Sequence, residues 1–274
     1  AFAAPVSSPL GTGISRPYWL RLGDLSGDGR LDAVVTGING ALVVFEGNGD
    51  GTFNPGIPIG LKPDGRPLGL ALGDFDRDGR LDIACSLGKV FLNDGQFFAG
   101  TNAMTTNSVW QGRTGGFSAG PQAWATEAED LDGDGILDLM VAETWARPDP
   151  IGVYFGTSNG LFTPPTIYSG PDVGVVGLFG ADMDGDGHED VFLSQNFFAL
   201  RPEWPRLDSG RALWLRGNGR GQLTPMPGQE SGVQVYGEQR GAALDDFNED
   251  GKVDLVVAQN GAATRLYENV GARP

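Results

Sequence analysis

One histidine, one cysteine and three lysines in 274 residues leave carboxylates as the main chemical groups of this chain. A lone cysteine excludes a disulfide-stapled fold, and a chain this long can bury a core without one. Cys85 closes the apolar run Leu81-Asp82-Ile83-Ala84-Cys85 and reads as a buried, inert thiol. His188 is the only imidazole, which argues against a Ser-His-Asp or Cys-His nucleophile. No apolar run approaches the roughly 20 residues that span a bilayer as a helix. Positive charge is scarce too: 19 Lys and Arg face 35 Asp and Glu, for a net charge of −16. Such a chain repels phosphate backbones and anionic lipid, so neither nucleic acid nor membrane insertion is expected. The opening Ala1-Phe2-Ala3-Ala4-Pro5 reads as that of a mature or trimmed product.

Glycine is abundant instead. Forty-five glycines without a Gly-X-Y period imply many tight turns. An internal repeat explains many of them. The copies are Asp24-Leu-Ser-Gly-Asp-Gly-Arg-Leu-Asp32, Asp74-Phe-Asp-Arg-Asp-Gly-Arg-Leu-Asp82, Asp130-Leu-Asp-Gly-Asp-Gly-Ile-Leu-Asp138, Asp182-Met-Asp-Gly-Asp-Gly-His-Glu-Asp190 and Asp246-Phe-Asn-Glu-Asp-Gly-Lys-Val-Asp254. They start 50, 56, 52 and 64 residues apart, the length of a four-stranded propeller blade with loop insertions.

Within each copy, positions 1, 3, 5 and 9 carry side-chain oxygens. They are Asp24, Ser26, Asp28 and Asp32; Asp74, Asp76, Asp78 and Asp82; Asp130, Asp132, Asp134 and Asp138; Asp182, Asp184, Asp186 and Asp190; and Asp246, Asn248, Asp250 and Asp254. Position 7 is Arg30, Arg80, Ile136, His188 or Lys252, a set with no shared side-chain chemistry, so its backbone carbonyl is the predicted ligand. Position 6 is glycine throughout, as a loop turning sharply about a small ion requires. Eighteen of the 35 acidic residues stand at these positions, a crowding that a hard cation such as Ca²⁺ relieves. Five Ca²⁺, one per repeat, would bring the net charge from −16 to −6. An EF-hand is excluded, because position 12 is Val35, Cys85, Val141, Leu193 or Val257 rather than Glu. The run after each loop, Ala33-Val-Val35 in the first copy and Leu255-Val-Val257 in the last, reads as a buried strand.

The pattern predicts one all-β domain over 1–274, a five-bladed β-propeller of four-stranded antiparallel blades. The blades fall near 15–62, 63–120, 121–170, 171–230 and 231–271, with the N-terminal segment 1–11 supplying the last blade's missing strand and closing the ring.

These loops, the strands after them and turns of the Gly47-Asn-Gly-Asp-Gly-Thr-Phe53 kind resemble the FG-GAP/VCBS repeat family. That family includes the integrin α-subunit propeller and bacterial VCBS/ASPIC-type repeat proteins. The resemblance implies Ca²⁺ on the residues above, with weaker binding expected where Ser26 and Asn248 remove a charge.

Strand alternation places the acidic loops on one face and the connections between strands two and three on the other. There Trp145, Arg147, Phe197, Phe198, Arg201, Trp204 and Arg206, with Trp110 from the irregular stretch 99–120, form a candidate ligand surface for a protein or glycan. A secreted, cell-surface or periplasmic, non-catalytic adhesion-type module is the expected function, since millimolar Ca²⁺ is an extracellular condition. The alternatives are a structural subunit of a surface assembly and a polysaccharide lyase or hydrolase. The enzyme would need a carboxylate pair, for which Glu127, Glu129 and Glu143 are the candidates.

Overall fold

A computed structural model of the chain describes residues 14–37, 39–59, 69–86, 89–95, 105–108, 123–143, 150–158, 160–169, 175, 177–195 and 212–271. It is all-β, a propeller of five antiparallel blades, with one helical turn among the described residues, at Gly228–Ser231. Two compact units divide it, Ala1–Ala123 with Thr157–Leu161, and Trp124–Gly156 with Phe162–Pro274.

In the first unit, β1 (Pro17–Gly23), β2 (Asp32–Gly37), β3 (Leu42–Phe45) and β4 (Ile57–Ile59) pair in chain order as the first blade. The second blade is β5 (Leu70–Gly73), β6 (Asp82–Cys85), β7 (Lys89–Leu92) and β8 (Thr105–Ser108). Every residue of β2 and β3 is buried, because both faces of the sheet are covered and the two-residue period sorts its side chains. Val34, Leu42 and Val44 pack with Leu70, Ile83, Cys85 and Phe91 of the second blade, while Ala33, Val35, Val43 and Phe45 gather on the opposite face. Cys85 is a buried thiol outside any disulfide, as its setting predicts.

The second unit carries three blades. They are β9 (Ala123–Glu129), β10 (Asp138–Glu143), β11 (Pro150–Tyr154) and β12 (Thr166–Ser169); then β13 (Gly177–Ala181), β14 (Asp190–Ser194), β15 (Leu213–Gly217) and β16 (Leu223–Met226); then β17 (Glu238–Asp245), β18 (Asp254–Asn260) and β19 (Arg265–Tyr267). Met140, Ile151 and Val153 meet Leu178, Val191 and Leu193 between the first two of these. Phe192 meets Leu255 and Val257 at the next step, with Val233 and Val235 of the connection filling in.

Among the described residues the fifth blade has three strands. The N-terminal segment expected to complete it lies outside the described residues, as do the eight candidate ligand-surface residues from Trp110 to Arg206.

Candidate metal centre

Each acidic repeat is the turn between the first two strands of its blade, and its nine residues form one hydrogen-bonded unit. The position 1 carboxylate folds the loop over itself. Asp24 Oδ1 accepts from the N–H groups of Gly27 at 2.7 Å and Asp28 at 3.1 Å, and its Oδ2 from Gly29 at 2.7 Å. Asp74, Asp130, Asp182 and Asp246 accept the same Oδ2 bond from Gly79, Gly135, Gly187 and Gly251 at 2.7–2.9 Å. Those five glycines have φ between 82° and 87°, a left-handed conformation that explains the invariant residue. The position 5 carboxylate accepts from the position 7 N–H in all five loops, from Arg30 at 2.9 Å to Lys252 at 3.0 Å.

Position 9 has a second role. Asp32, Asp82, Asp138, Asp190 and Asp254 are all buried, and both oxygens of each are held by backbone donors. One oxygen accepts from the position 2 N–H: Leu25, Phe75, Leu131, Met183 and Phe247, at 2.9–3.2 Å. The other accepts from a residue at or just past the end of the third strand: Gly47, Asn93, Gly156, Gly217 and Asn269, at 2.7–2.8 Å. This aspartate therefore ties the loop to the far side of its own blade. Where the tied residue is glycine, the position 8 carbonyl comes so close that a Cβ would collide with it, as at Gly47 with Leu31 and Gly217 with Glu189. Where it is asparagine, the side-chain amide donates to that carbonyl instead, Asn93 to Leu81 at 3.1 Å and Asn269 to Val253 at 3.0 Å.

Burial sets the electrostatics. It pushes Asp138 up to about 7, and Asp82 and Asp190 up to about 6, against the lowering effect of their backbone donors. Burial also raises Asp76, Asp132 and Asp184 at position 3, with neighbouring loop carboxylates adding to the shift. Such a group calls for a cation more than for water.

Three sets of carboxylates converge among the described residues: Asp74, Asp76 and Asp78; Asp130, Asp132 and Asp138; and Asp182, Asp184 and Asp190. Within each set the ligand atoms lie within 4.8 Å of one another. Asp76 Oδ1 is buried and accepts no hydrogen bond. An oxygen-only donor set with an orphaned carboxylate oxygen fits a hard divalent cation. Protein cations meanwhile lean on the same acids from outside. Arg30 pairs with Asp28, Arg80 with Asp78, and Lys252 with Asp250 at 3.1 Å. Ile136 is buried at the equivalent place.

Of the candidate enzyme carboxylates, Glu129 is pushed up to about 8, by burial and then by Glu189 and Glu127. Its stem fills the space beside Gly180.

The FG-GAP-like repeat family matches residues 3–85 and 130–193, which is more than half of the chain and contains the first four loops. The chain belongs to that family. No curated protein matches its sequence. Solved structures share the fold at low identity. An Agrocybe aegerita lectin, solved for its recognition of non-reducing terminal N-acetylglucosamine, is 20% identical over 95% of this chain and 68% of its own, with a TM-score of 0.53. BBS1N, in complex with ARL6DN, is 11% identical over 94% and 65%, with a TM-score of 0.54. A Bacillus licheniformis rhamnogalacturonan lyase is 17% identical over 93% and 50%, with a TM-score of 0.53. The chain thus spans between half and about two thirds of the length of these three FG-GAP-fold neighbours. A lectin, a protein complex and a lyase have no ligand class in common, so what they share with this chain is the scaffold. Among the described residues of the FG-GAP chain, no helix is long and apolar enough to cross a membrane.

Proposed function

We propose that this protein is a calcium-stabilised, non-catalytic binding propeller that works outside the cell and recognises a protein or a glycan. The observation that carries the calcium part is the convergence of three carboxylates, one with an unpartnered buried oxygen, in a loop already folded to receive an ion. When bound, Ca²⁺ supplies charge neutralisation and cross-linking within each loop. The chain's residues do the rest. Positions 1, 3, 5 and 9 with the position 7 carbonyl hold the ion, and position 9 passes the constraint to the end of the third strand. Low millimolar affinity is sufficient outside cells, where calcium is at that level.

The binding role draws on the aromatic and arginine residues Trp110, Trp145, Arg147, Phe197, Phe198, Arg201, Trp204 and Arg206. The sugar-recognising lectin of the same fold gives the glycan reading its weight. Against catalysis stands the single histidine, placed at the variable position 7 of a metal loop.

Two measurements test the reading. Chelation lowers the melting temperature and added Ca²⁺ restores it, as a ligand bound only by the folded state must. A glycan and surface-protein array shows binding that Trp145→Ala or Trp204→Ala removes. Melting that ignores chelation refutes the calcium role, and an empty array refutes the recognition role.

A further inference from the structure

The residue just before the position 9 tie differs among blades in step with position 3 of the loop. It is Glu46, Leu92, Phe155, Arg216 and Glu268 in chain order, while position 3 is Ser26, Asp76, Asp132, Asp184 and Asn248. The two loops that lack a carboxylate at position 3 are the two with a glutamate at the end of the third strand. All five residues share one register, because the next N–H in each blade donates to the position 9 aspartate. They therefore leave the strand on the same side.

Two of these side chains show where that side points. Glu268 Oε1 accepts from Asn248 Nδ2 at 3.2 Å, so in the fifth blade the glutamate touches position 3 itself. In the fourth, Arg216 Nε meets Asp184 Oδ2 at 2.6 Å and its Nη2 meets Asp186 Oδ2 at 3.2 Å. The end of the third strand thus reaches positions 3 and 5 of the loop. In the first blade Glu46 stands at the same register, and Asn54 Nδ2 donates to its Oε2 at 2.8 Å.

We infer that Glu46 and Glu268 are additional ligands of the metal loops, each supplying from the third strand the carboxylate that Ser26 or Asn248 omits. The inference rests on the calcium reading and deepens it. With the glutamates counted, the first and fifth loops recover four carboxylates: Asp24, Asp28, Asp32 and Glu46; and Asp246, Asp250, Asp254 and Glu268. The expectation of weak binding at these two loops is then removed. The longer glutamate suits the exchange, because its carboxylate has to cross from strand to loop. Ser26 and Asn248 suit it as well, since an aspartate there would put a fifth negative charge in the site.

The test uses the whole chain labelled with ¹⁵N-glycine and titrated with CaCl₂. The position 6 amides of Gly29, Gly79, Gly135, Gly187 and Gly251 each donate to their own loop's first aspartate and report that loop alone. In Glu268→Gln the Gly251 midpoint rises by about tenfold, the effect of losing one charged ligand, while the other four stay in place. Adding Asn248→Asp to Glu268→Gln returns it to within about threefold of the parent. Glu46→Gln and Glu46→Gln with Ser26→Asp repeat the pattern at Gly29. Glycines that all ignore Ca²⁺ in the parent chain overturn the calcium reading and this inference together. If they respond but the Gly251 and Gly29 midpoints do not move in the glutamine variants, or are not restored by the added aspartates, the inference alone falls.

Discussion

Asn93 Nδ2 donates to the backbone carbonyl of Leu25 at 2.7 Å, from the second blade into the acidic loop of the first. Asn269 does the same to Met183 at 2.7 Å, from the fifth blade into the loop of the fourth. Between the third and fourth blades a backbone donor takes this role, Gly221 N–H to Leu131 carbonyl at 3.0 Å. Each accepting carbonyl belongs to position 2 of an acidic loop. These three pairs of blades are therefore joined at the loops as well as through their apolar faces.

Asn93→Ala strips a buried carbonyl of its partner and is expected to destabilise the fold by about 1–3 kcal/mol. Urea unfolding followed by tryptophan fluorescence measures it. A midpoint equal to the parent's would mean that the bond contributes nothing.

The acidic loops were legible in the sequence because they repeat their chemistry position by position. The strands were legible because apolar runs such as Leu139-Met-Val141 have only one way to be buried in a blade. The joints were not. The residue tied at or just past the end of the third strand is glycine in three blades and asparagine in two, so no repeated letter marks it. Its role comes from a backbone N–H, which every residue but proline possesses. Glu268 and Asn248 are 20 positions apart, and only strand pairing brings them together. The candidate recognition residues, from Trp110 to Arg206, fall outside the repeat, where the sequence has no period to read.

Metal-free stability is expected to decline as pH rises from about 4 to about 7. Asp138 is raised to about 7 in the folded protein, and Asp82 and Asp190 to about 6, from 3.8. In that window the folded state holds protons that the unfolded chain has released, so alkali favours unfolding. Bound Ca²⁺ favours the ionised form and cancels the slope. Melting curves at pH 5 and pH 7.5 with chelator check the sign. In weak buffer at pH 6, calcium addition releases protons. A metal-free melting temperature that climbs over this range refutes the assignment.

Glu129→Gln is expected to raise the melting temperature at pH 9 and to leave it unchanged at pH 5. Glu129 is raised to about 8 from 4.5, first by burial, so the stability it contributes is fully present below about 4.5 and is lost as pH rises to about 8. Gly180→Ala perturbs the same place by steric means, since its new methyl group meets the Glu129 stem. Equal melting of parent and Glu129→Gln at pH 9 would show the group to be well solvated.

Arg216→Gln is expected to tighten calcium binding at the fourth loop by several-fold, since it removes a cation from Asp184 and Asp186. The Gly187 amide reads this directly, at lower calcium than in the parent. A midpoint that stays put would show that the guanidinium swings away without cost when the ion arrives.

The donors that latch a loop to the following blade lie far along the chain, 68 residues beyond Leu25 for Asn93 and 86 beyond Met183 for Asn269. On the ribosome a blade's loop thus stays unlatched until the third strand of the next blade has emerged. At about 5–20 residues per second that is a delay of several seconds. Synthesis therefore acts as a clock for these two joints, the first and fourth blades each waiting for a successor to fasten them.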